Sequence, residues 1–365
     1  MKHAVARLSL ASWALLALLA LVVSGCSDAP DSTGGGPDSE PQSAVNIGYQ
    51  GMLNPWKAAI QTGAFEEATG REINWRKFSS GAEVITAMAS GDIDIAVAGS
   101  SPIATAMSRG LEVELFWILE GIRDNEALVA RNGSGIKTIE DLRGKNIGVP
   151  FASTTHYHLL IALEQAGITT KEVKLLNMQP ASIMASWTQA QIDAAFVWSP
   201  VLNRILETGE VLLTSGKLAE LGNPTFDGIM AQQSFAAANP KFMTTLVGVI
   251  AKYDADYRDN KWTEETPQVK AIAKLTGAQA ADIVAVLAQY DFPNLEEQAS
   301  TRWLGGGKDE GAAKALHQTS VFLKGQKNIP SVLEDYSPLV NASWALAAQA
   351  AGSAPANGSA PANGK

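Results

Sequence analysis

The stretch Ile93-Asp94-Ile95-Ala96-Val97-Ala98-Gly99-Ser100-Ser101-Pro102 decides the fold class. Its apolar run predicts a buried strand, and the Ser-Pro that follows predicts a helix start, because proline is tolerated in the first helical turn. Strand and helix patterns alternate on both sides of this stretch. Strands are predicted at 44–49, 72–78, 93–98, 112–119, 127–131, 146–149, 173–177 and 193–197, with helices at 55–68, 82–90, 155–166 and 181–188 and a mainly helical pattern after about 240. This alternation indicates βαβ units, so the sequence predicts an α/β fold with mostly parallel sheets.

A second copy of the pattern occurs 99 residues later, in Ile192-Asp193-Ala194-Ala195-Phe196-Val197 followed by Ser199-Pro200. In both copies an apolar helix precedes the strand and Ser-Pro follows it. The separation is too long for a short solenoid repeat. We interpret the two copies as equivalent units in two similar lobes, with a chance similarity as the alternative.

Length and composition restrict the class of protein. The 365 residues include a predicted folded body from Ala44 to Leu346, long enough for one large domain or two smaller ones. The formal net charge of -9 argues against a sequence-independent nucleic-acid binder, which requires a basic surface. The single cysteine excludes an intrachain disulfide framework, a zinc knuckle and a CxxC redox pair.

The N-terminal segment has the pattern of an export signal. Lys2 and Arg7 form a basic region before the apolar stretch 8–23, and Val23-Ser24-Gly25-Cys26 resembles a bacterial lipobox. We therefore expect residues 1–25 to be a lipoprotein signal peptide and Cys26 to carry lipid, with an ordinary signal peptide or an uncleaved membrane span as alternatives. Residues 26–43 are predicted to form a disordered tether and 347–365 a disordered tail, since neither segment has the apolar residues of a core.

No recognisable catalytic motif occurs in the folded body. His156 and His158 are two residues apart and point in different directions on a helix, so they cannot bind one metal ion. The SxxK match beginning at Ser134 lies among glycines and is interpreted as a chance match. The sequence therefore predicts a protein that is not an enzyme and holds no metal and no cofactor.

Three strand-to-helix turns are rich in small hydroxyl residues. They are Ser79-Ser80-Gly81, Gly99-Ser100-Ser101-Pro102 and Ser153-Thr154-Thr155-His156. Backbone N–H groups at a helix N-terminus, together with hydroxyls, bind oxyanions. The alternative is that the hydroxyls only cap their helices. Ligands bind at the carboxyl ends of strands in open α/β sheets, and three such turns there favour an anion site.

Two further segments carry a family resemblance. The runs 75–82 (WRKFSSGA) and 150–157 (PFASTTHY) resemble the taurine branch of the sulfonate, nitrate and taurine binding proteins of bacterial ABC importers. The likeness extends in the same order from about Val45 to Val340 and includes 176–180, 192–200 and 335–337.

The resemblance implies a two-lobed periplasmic-binding-protein fold of type II that closes on its ligand like a hinged clamp. The first lobe would comprise residues 45–130 and 226–346, and the second lobe 131–225. Two crossing strands, near Ala127–Arg131 and Asp227–Gln232, would join them.

The resemblance also implies a ligand and its contacts. Taurine carries a sulfonate and an ammonium, so its site needs anion donors facing a carboxylate. The sulfonate would contact Ser80, Ser100, Ser101, Ser153, Thr154 and Thr155. The ammonium would contact Asp227, which matches the family's amine-binding acid, and Glu126, Gln50 and Trp198; the alternative for Trp198 is a core position. Since a buried carboxylate without a cationic partner is costly, Asp227 should be poorly satisfied without ligand.

The predicted function is therefore a monomeric, extracytoplasmic, lipid-anchored receptor that delivers taurine to an ABC permease and its ATPase subunits. A receptor for another alkanesulfonate or a nitrate-like anion is the first alternative. An enzyme of the same fold, such as the pyrimidine synthase of thiamine biosynthesis, is the second. An adhesion or signalling lipoprotein on the same scaffold is the third.

Overall fold

The computed structural model describes residues 43–353. The predicted signal peptide, nearly all of the tether and Cys26 lie outside these residues, so no structural statement is made about them. No helix in the described part of the chain is long and apolar enough to span a membrane.

The described residues form ten strands and fifteen α-helices. The strands are β1 Val45–Tyr49, β2 Ile73–Lys77, β3 Ile95–Gly99, β4 Val113–Gly121, β5 Glu126–Arg131, β6 Asn146–Val149, β7 Lys174–Asn177, β8 Ala194–Trp198, β9 Gly209–Thr214 and β10 Phe226–Gln232. The helices are α1 Trp56–Thr62, α2 Ala64–Thr69, α3 Gly81–Ala89, α4 Ser100–Ser108, α5 Thr154–Gln165, α6 Pro180–Thr188, α7 Val201–Leu206, α8 Ser215–Glu220, α9 Gln233–Ala238, α10 Pro240–Asn260, α11 Pro267–Thr276, α12 Ala280–Leu287, α13 Leu295–Ala299, α14 Gly311–Gly325 and α15 Ser343–Ser353. The α/β class and the helical character after residue 240 are confirmed.

The strands form two five-stranded sheets with matching topology. Their orders are β2-β1-β3-β10-β4 and β7-β6-β8-β5-β9. In each sheet four strands point the same way, and the fifth, β10 or β5, is antiparallel to both of its neighbours. The predicted two-lobed arrangement of mostly parallel sheets is therefore confirmed.

The two copies of the repeated sequence pattern occupy equivalent strands, β3 and β8. Their aspartates make the same contact in each sheet. Asp94 Oδ2 accepts from the backbone N–H of Asn46 at 2.8 Å, and Asp193 Oδ2 accepts from that of Asn146 at 2.9 Å. Each aspartate thus ties the beginning of its strand to the neighbouring parallel strand, β1 or β6, which explains why both copies contain it.

The chain passes between the sheets twice. It leaves β4 at Gly121 and enters β5 at Glu126, and it leaves β9 at Thr214 and enters β10 at Phe226. The predicted crossing segments are β5 and β10 themselves, which lie just after these passages. Each joins the sheet it enters as the antiparallel strand, so the residues directly after each passage are buried in a sheet.

Three details of the sequence prediction were wrong. The helix predicted at 55–68 is two helices, because Gly63 adopts a left-handed conformation with φ 73° between α1 and α2. Strand β9 was not predicted. The tail was predicted to begin at residue 347, but α15 continues to Ser353 and buries Ala345 and Ala348.

Candidate functional site

A small cavity lies where residues of both sheets meet. It is lined by Gln50, Met52, Gly81, Gly99, Pro102, Ile122, Glu126, Ser153, Thr154, Trp198, Asp227 and Tyr290. Its volume is about 20 Å³, close to the smallest space that holds a water molecule. In this conformation the site is closed, with little free space between the residues of the two sheets.

The three hydroxyl-rich turns differ in how their helices begin. The Ser80 hydroxyl accepts from the N–H of Glu83 at the start of α3. The Ser153 hydroxyl accepts from the N–H of His156 at the start of α5. Helix α4 instead begins after Gly99 with no side-chain cap. The capping interpretation therefore describes α3 and α5, while the first turn of α4 keeps the uncapped N–H groups that suit an anion.

The hydroxyls assigned to a sulfonate lie at different depths. Ser153 and Thr154 line the cavity, whereas Ser80, Ser100, Ser101 and Thr155 are buried beside it. The Ser153 hydroxyl donates to the carbonyl of Pro150 at 2.6 Å and contacts the Thr155 hydroxyl at 2.7 Å. Ser101 Oγ is buried and has no hydrogen-bond partner. Leaving a buried hydroxyl without a partner costs free energy. The Ser101 hydroxyl is therefore available to form a hydrogen bond with a ligand.

Gly99 sets how closely the two sheets approach. A Cβ at this position would lie 2.8 Å from Thr154 Cγ2 and 3.4 Å from Asp227 Oδ1. The first distance is shorter than a non-bonded contact permits. Glycine therefore allows the end of β3 and the start of α5 to meet across the cavity.

Asp227 lies at the start of β10, opposite Glu120 of β4 and Gly99 of β3. Its carboxyl group is 7% exposed and forms a hydrogen bond with that of Glu120. Burial raises the pKa of Asp227 to about 7, and the bond with Glu120 acts in the opposite direction. Glu120 is itself an acid and supplies no positive charge, so the expectation that Asp227 lacks a cationic partner without ligand stays a prediction.

Glu120 was missed by the sequence analysis. It is fully buried, and Asn54 Nδ2 donates to its two oxygens at 3.1 and 3.3 Å. Burial, followed by the charge of Asp227, raises the pKa of Glu120 well above its ordinary value. The available signal was an acid inside the apolar strand 113–121, since a charge in a buried strand is seldom there for packing.

Glu126 begins β5, on the other side of the cavity. The Thr154 hydroxyl donates to its Oε1, and the Ser215 hydroxyl lies 2.9 Å from its Oε2. Burial raises the pKa of Glu126 to about 8, and the charge of Asp227 acts in the same direction. Thr154 and Glu126, assigned to opposite ends of the ligand, are therefore in direct contact in the closed site.

Lys57 is a second residue that the sequence analysis missed. It is buried in α1, its Nζ donates to the carbonyl of Gln50 at 2.6 Å, and it lies 4.0 Å from the centroid of the Tyr49 ring. Burial lowers its pKa well below the ordinary value, although Glu120 opposes this shift. The Gln50 amide donates to the carbonyl of Val97 at 3.0 Å, which fixes its position in the cavity wall.

Aromatic side chains complete the wall. Trp198 lines the cavity and is also part of the large apolar cluster that contains residues of both sheets, so its core position is confirmed and its contact with an ammonium stays a prediction. Tyr290 lines the opposite part, and burial followed by the charge of Glu120 raises its pKa well above the ordinary value. These rings exclude water and present π faces or a hydroxyl to a ligand.

The combined chemistry of the cavity is that of a site for two opposite charges. Two buried carboxyl groups, of Glu126 and Asp227, face it from two sheets, a third, of Glu120, lies behind Asp227, and the uncapped first turn of α4 lies at its edge. Burial makes each acid costly to ionise without a cation. Within residues 43–353 there is no cluster of three or more His, Cys, Asp or Glu side chains that could hold a metal ion.

Comparisons with known proteins agree with this fold. A sequence model described as NMT1/THI5-like matches residues 56–254. The taurine-binding periplasmic protein of Escherichia coli (strain K12) is 35% identical over 300 residues, which cover 82% of this chain and 91% of that protein. The alkanesulfonate-binding protein SsuA from Xanthomonas axonopodis pv. citri, solved with MOPS, has a TM-score of 0.66 at 22% identity and covers 83% of this chain and 98% of that one.

The fold is also found in an enzyme. The desulfurization enzyme DSZB has a TM-score of 0.56 at 15% identity, covering 84% of this chain and 99% of that chain. At such identities the likeness to SsuA and to the enzyme shows the fold alone. The sequence evidence reaches further, and the resemblance seen in the runs 75–82 and 150–157 is confirmed. With one family model matched over residues 56–254 and a relative 35% identical over most of both chains, this protein belongs to the NMT1/THI5-like family.

Proposed function

We propose that the protein is a non-enzymatic substrate-binding component of an ABC importer that captures taurine between its two lobes and delivers it to the permease. The observation that carries the proposal is the meeting of two buried carboxyl groups, of Glu126 and Asp227, with the uncapped first turn of α4 at one small cavity. A short zwitterion satisfies both features at once. The 35% identity to a protein named for taurine binding supports the same ligand.

The two ends of taurine have different partners in this proposal. The sulfonate lies at the N-termini of α4 and α5, with the unpaired Ser101 hydroxyl as a donor and Ser153 beside it as the cap that holds the start of α5 at the cavity. The ammonium lies between Asp227 and Glu126, under the ring of Trp198. The ammonium would thus sit between carboxyl groups from both sheets, so its binding draws the lobes together.

Another alkanesulfonate or a nitrate-like anion is the alternative ligand class, and the structure of SsuA with MOPS is an example of the first. An anion without an ammonium would leave Asp227 and Glu126 without a cationic partner, and its own charge would oppose the ionisation of Asp227. Such an arrangement is unfavourable in a buried site. The acids therefore favour taurine over these ligands. The enzyme alternative is supported only by the similarity of the fold, and no feature of the described site favours it.

The proposed lobes are residues 45–130 with 226–346, and residues 131–225. Ligand binding should stabilise the closed form by its higher affinity for that form. Small-angle X-ray scattering should show a smaller radius of gyration at saturating taurine. An unchanged radius at saturation would contradict the clamp but not the binding.

The proposed location is outside the cytoplasm, anchored through lipid on Cys26. A relative named as a periplasmic protein supports export. Labelling with a radioactive fatty acid in a host with lipoprotein machinery should mark the parent protein but not Cys26→Ser. Absence of label in the parent would rule out the lipid anchor.

Calorimetric titration tests the ligand directly. Residues 26–365, produced without lipid, should be titrated with taurine, ethanesulfonate, nitrate and β-alanine. Taurine should bind most tightly, since it alone combines a sulfonate with an ammonium. Tighter binding of ethanesulfonate or nitrate would keep the receptor but replace the ligand.

A further inference from the structure

A chain of buried polar groups leads away from the cavity at Glu126. Ser215 Oγ lies 2.9 Å from Glu126 Oε2 and 2.7 Å from His158 Nδ1. The other ring nitrogen of His158, Nε2, lies 3.0 Å from the carbonyl oxygen of Asn223. Ser215 is 1% exposed and His158 is 0% exposed. Both residues lie outside the cavity wall, so ligand contact does not explain them.

The three hydrogen bonds of this chain need one proton more than a Glu126 carboxylate, a serine hydroxyl and a neutral imidazole supply together. The carbonyl of Asn223 only accepts, so His158 Nε2 must donate to it. A neutral His158 then accepts at Nδ1 from the single hydrogen of Ser215. Ser215 has no second hydrogen for Glu126, so the 2.9 Å contact requires a proton on Glu126 Oε2. If His158 is doubly protonated instead, Ser215 donates to a Glu126 carboxylate, and the total number of protons is the same.

The environment places this proton on Glu126. Burial lowers the pKa of His158 to about 4, because the interior around it is unfavourable for an imidazolium. Burial raises the pKa of Glu126 to about 8. The protonated acid and the neutral imidazole are therefore the stable pair.

Other charged groups around Glu126 favour the same state. The carboxyl of Asp227, from β10, raises the pKa of Glu126, and Asp227 in turn is hydrogen-bonded to Glu120 of β4. The hydroxyl of Tyr290 is buried near all three acids. The buried cation Lys57, from α1, interacts with Glu120. The groups that face Glu126 in the closed site thus include carboxyl groups and a phenol, and the nearby cation is directed elsewhere.

We propose that the ligand-free site keeps a proton on the Glu126–Ser215–His158 chain and that a bound ammonium expels it to solvent. The inference rests on the proposed function, because it requires a ligand with an ammonium. The proton leaves Glu126 Oε2, and the ammonium, which keeps its own protons, donates to the resulting carboxylate. His158 is a positioning residue: its Nδ1 takes the hydrogen of Ser215 and so keeps Glu126 protonated while no ligand is present.

The sign of the pH dependence follows from this exchange. The acid has a raised pKa in the free protein, and the ammonium lowers it in the complex, so binding releases a proton between the two pKa values. Taurine affinity should therefore increase with pH up to about pH 8. Release of one proton corresponds to about a tenfold increase in affinity per pH unit at most.

The test is a calorimetric titration of residues 26–365 with taurine at pH 7 in phosphate, imidazole and Tris, none of which contains a sulfonate. The slope of the observed enthalpy against the ionisation enthalpy of the buffer gives the number of protons released. We expect the release of about one proton with taurine and none with ethanesulfonate, which has no ammonium. Glu126→Gln should lower the number for taurine by about one, which separates this proton from any that the Glu120–Asp227 pair releases.

Two histidine variants test the positioning role. His158→Leu removes the acceptor for Ser215, whose hydrogen then stabilises the Glu126 carboxylate, so proton release should fall by at least half and taurine affinity should lose most of its pH dependence. His156→Leu is the matched control, since His156 lies on the same helix and its Nδ1 accepts from the N–H of Ala152 at 3.3 Å. The number of protons that His156→Leu releases on binding taurine should equal that of the parent protein. A purely structural role of His158 would weaken binding equally at every pH without changing the proton number.

The outcomes separate the two proposals. Taurine binding with the same enthalpy in every buffer overturns the proton exchange and leaves the receptor function intact. Absence of taurine binding overturns both. An equal proton number with ethanesulfonate would show that the ammonium does not displace the proton. If His158→Leu does not fold, the comparison of taurine with ethanesulfonate in the parent still decides the question.

Discussion

Strands β3 and β8 hold the same position in the two sheets, yet they present different residues to the cavity. Strand β3 ends in Gly99, which has no side chain and leads into an uncapped helix. Strand β8 ends in Trp198, whose ring fills space between the lobes. The shared aspartates show that the scaffold is the same in both sheets. The repeated unit therefore determines the arrangement of the backbone in both sheets. The residue at the end of each strand determines which chemical groups line the cavity.

The acids follow the same division between the sheets. Glu120 and Asp227 lie opposite each other on neighbouring strands of the first sheet, and their carboxyl groups interact electrostatically. Glu126 of the second sheet is held by the hydroxyls of Thr154 and Ser215. One sheet thus offers two coupled carboxyl groups, and the other offers a single acid supported by hydroxyls. Substitutions on each side should therefore have distinct effects.

The largest effect should come from Asp227→Ala on the first sheet. Removing one partner of a desolvated charge pair costs roughly 2–5 kcal/mol, so taurine affinity should fall by about thirtyfold or more. Ethanesulfonate should lose little affinity, because it has no ammonium to pair with Asp227. Calorimetric titration of both ligands is the measurement. Equal losses would show that Asp227 is structural and that the ammonium lies elsewhere.

Gly99→Ala tests the glycine end of β3. The added Cβ would clash with Thr154 Cγ2 at 2.8 Å, which should prevent full closure and weaken taurine and ethanesulfonate together by about tenfold, or about 1.4 kcal/mol. The thermal midpoint should change little, since the clash is between the lobes. Gly121→Ala is the control, because its Cβ would meet Asp291 Cβ at 3.5 Å, an ordinary contact. Unchanged affinity in Gly99→Ala would mean that ligand binds without this close approach.

Ser153→Ala and Ser80→Ala compare two capped turns. Each variant loses a helix cap, which costs typically about 1 kcal/mol of stability. Only Ser153 lines the cavity, so Ser153→Ala should also weaken both sulfonates by about fivefold while Ser80→Ala leaves their affinity nearly unchanged. Thermal unfolding and titration together separate the two effects. Equal affinity losses in the two variants would assign both turns the same role.

The smallest effect should come from a contact between the lobes at the surface. Arg204 Nη2 of α7 lies 3.9 Å from Asp282 Oδ2 of α12, and the two side chains are 53% and 34% exposed. Exposed ion pairs contribute about 0–1 kcal/mol, so Arg204→Ala should weaken taurine by no more than a few-fold. The difference should disappear at high salt. A loss of tenfold or more that persists in high salt would make this pair a principal closing contact.

Several parts of the site were predictable because they depend on local sequence. The order of strands and helices follows from hydrophobic periodicity and from Gly and Pro positions. The hydroxyl turns were recognisable because strand ends and helix starts are adjacent in the chain. Asp227, Glu126, Gln50 and Trp198 were identified through the family resemblance, and all four line the cavity.

Other parts were not predictable because they join residues that are distant in sequence. The pair of Glu120 and Asp227 exists only because β4 and β10 are neighbours in the sheet. The burial of Lys57 depends on the packing of α1, and its positive charge alone favours an exposed position. The sequence also did not show whether α4 has a side-chain cap. In the structure its N-cap residue is Gly99, and Ser100 and Ser101 follow that position.

The α/β class, the repeated unit and the hydroxyl turns could be predicted from the sequence, because each depends on the period and spacing of residues within a short segment. The tertiary structure was needed to establish which of those turns remains uncapped, how closely Gly99 approaches Thr154, and which acids are buried next to one another. Protonation in particular depends on burial and on the number of hydrogen-bond donors around each group. Both quantities arise when two sheets close around one cavity, and a linear sequence does not contain them.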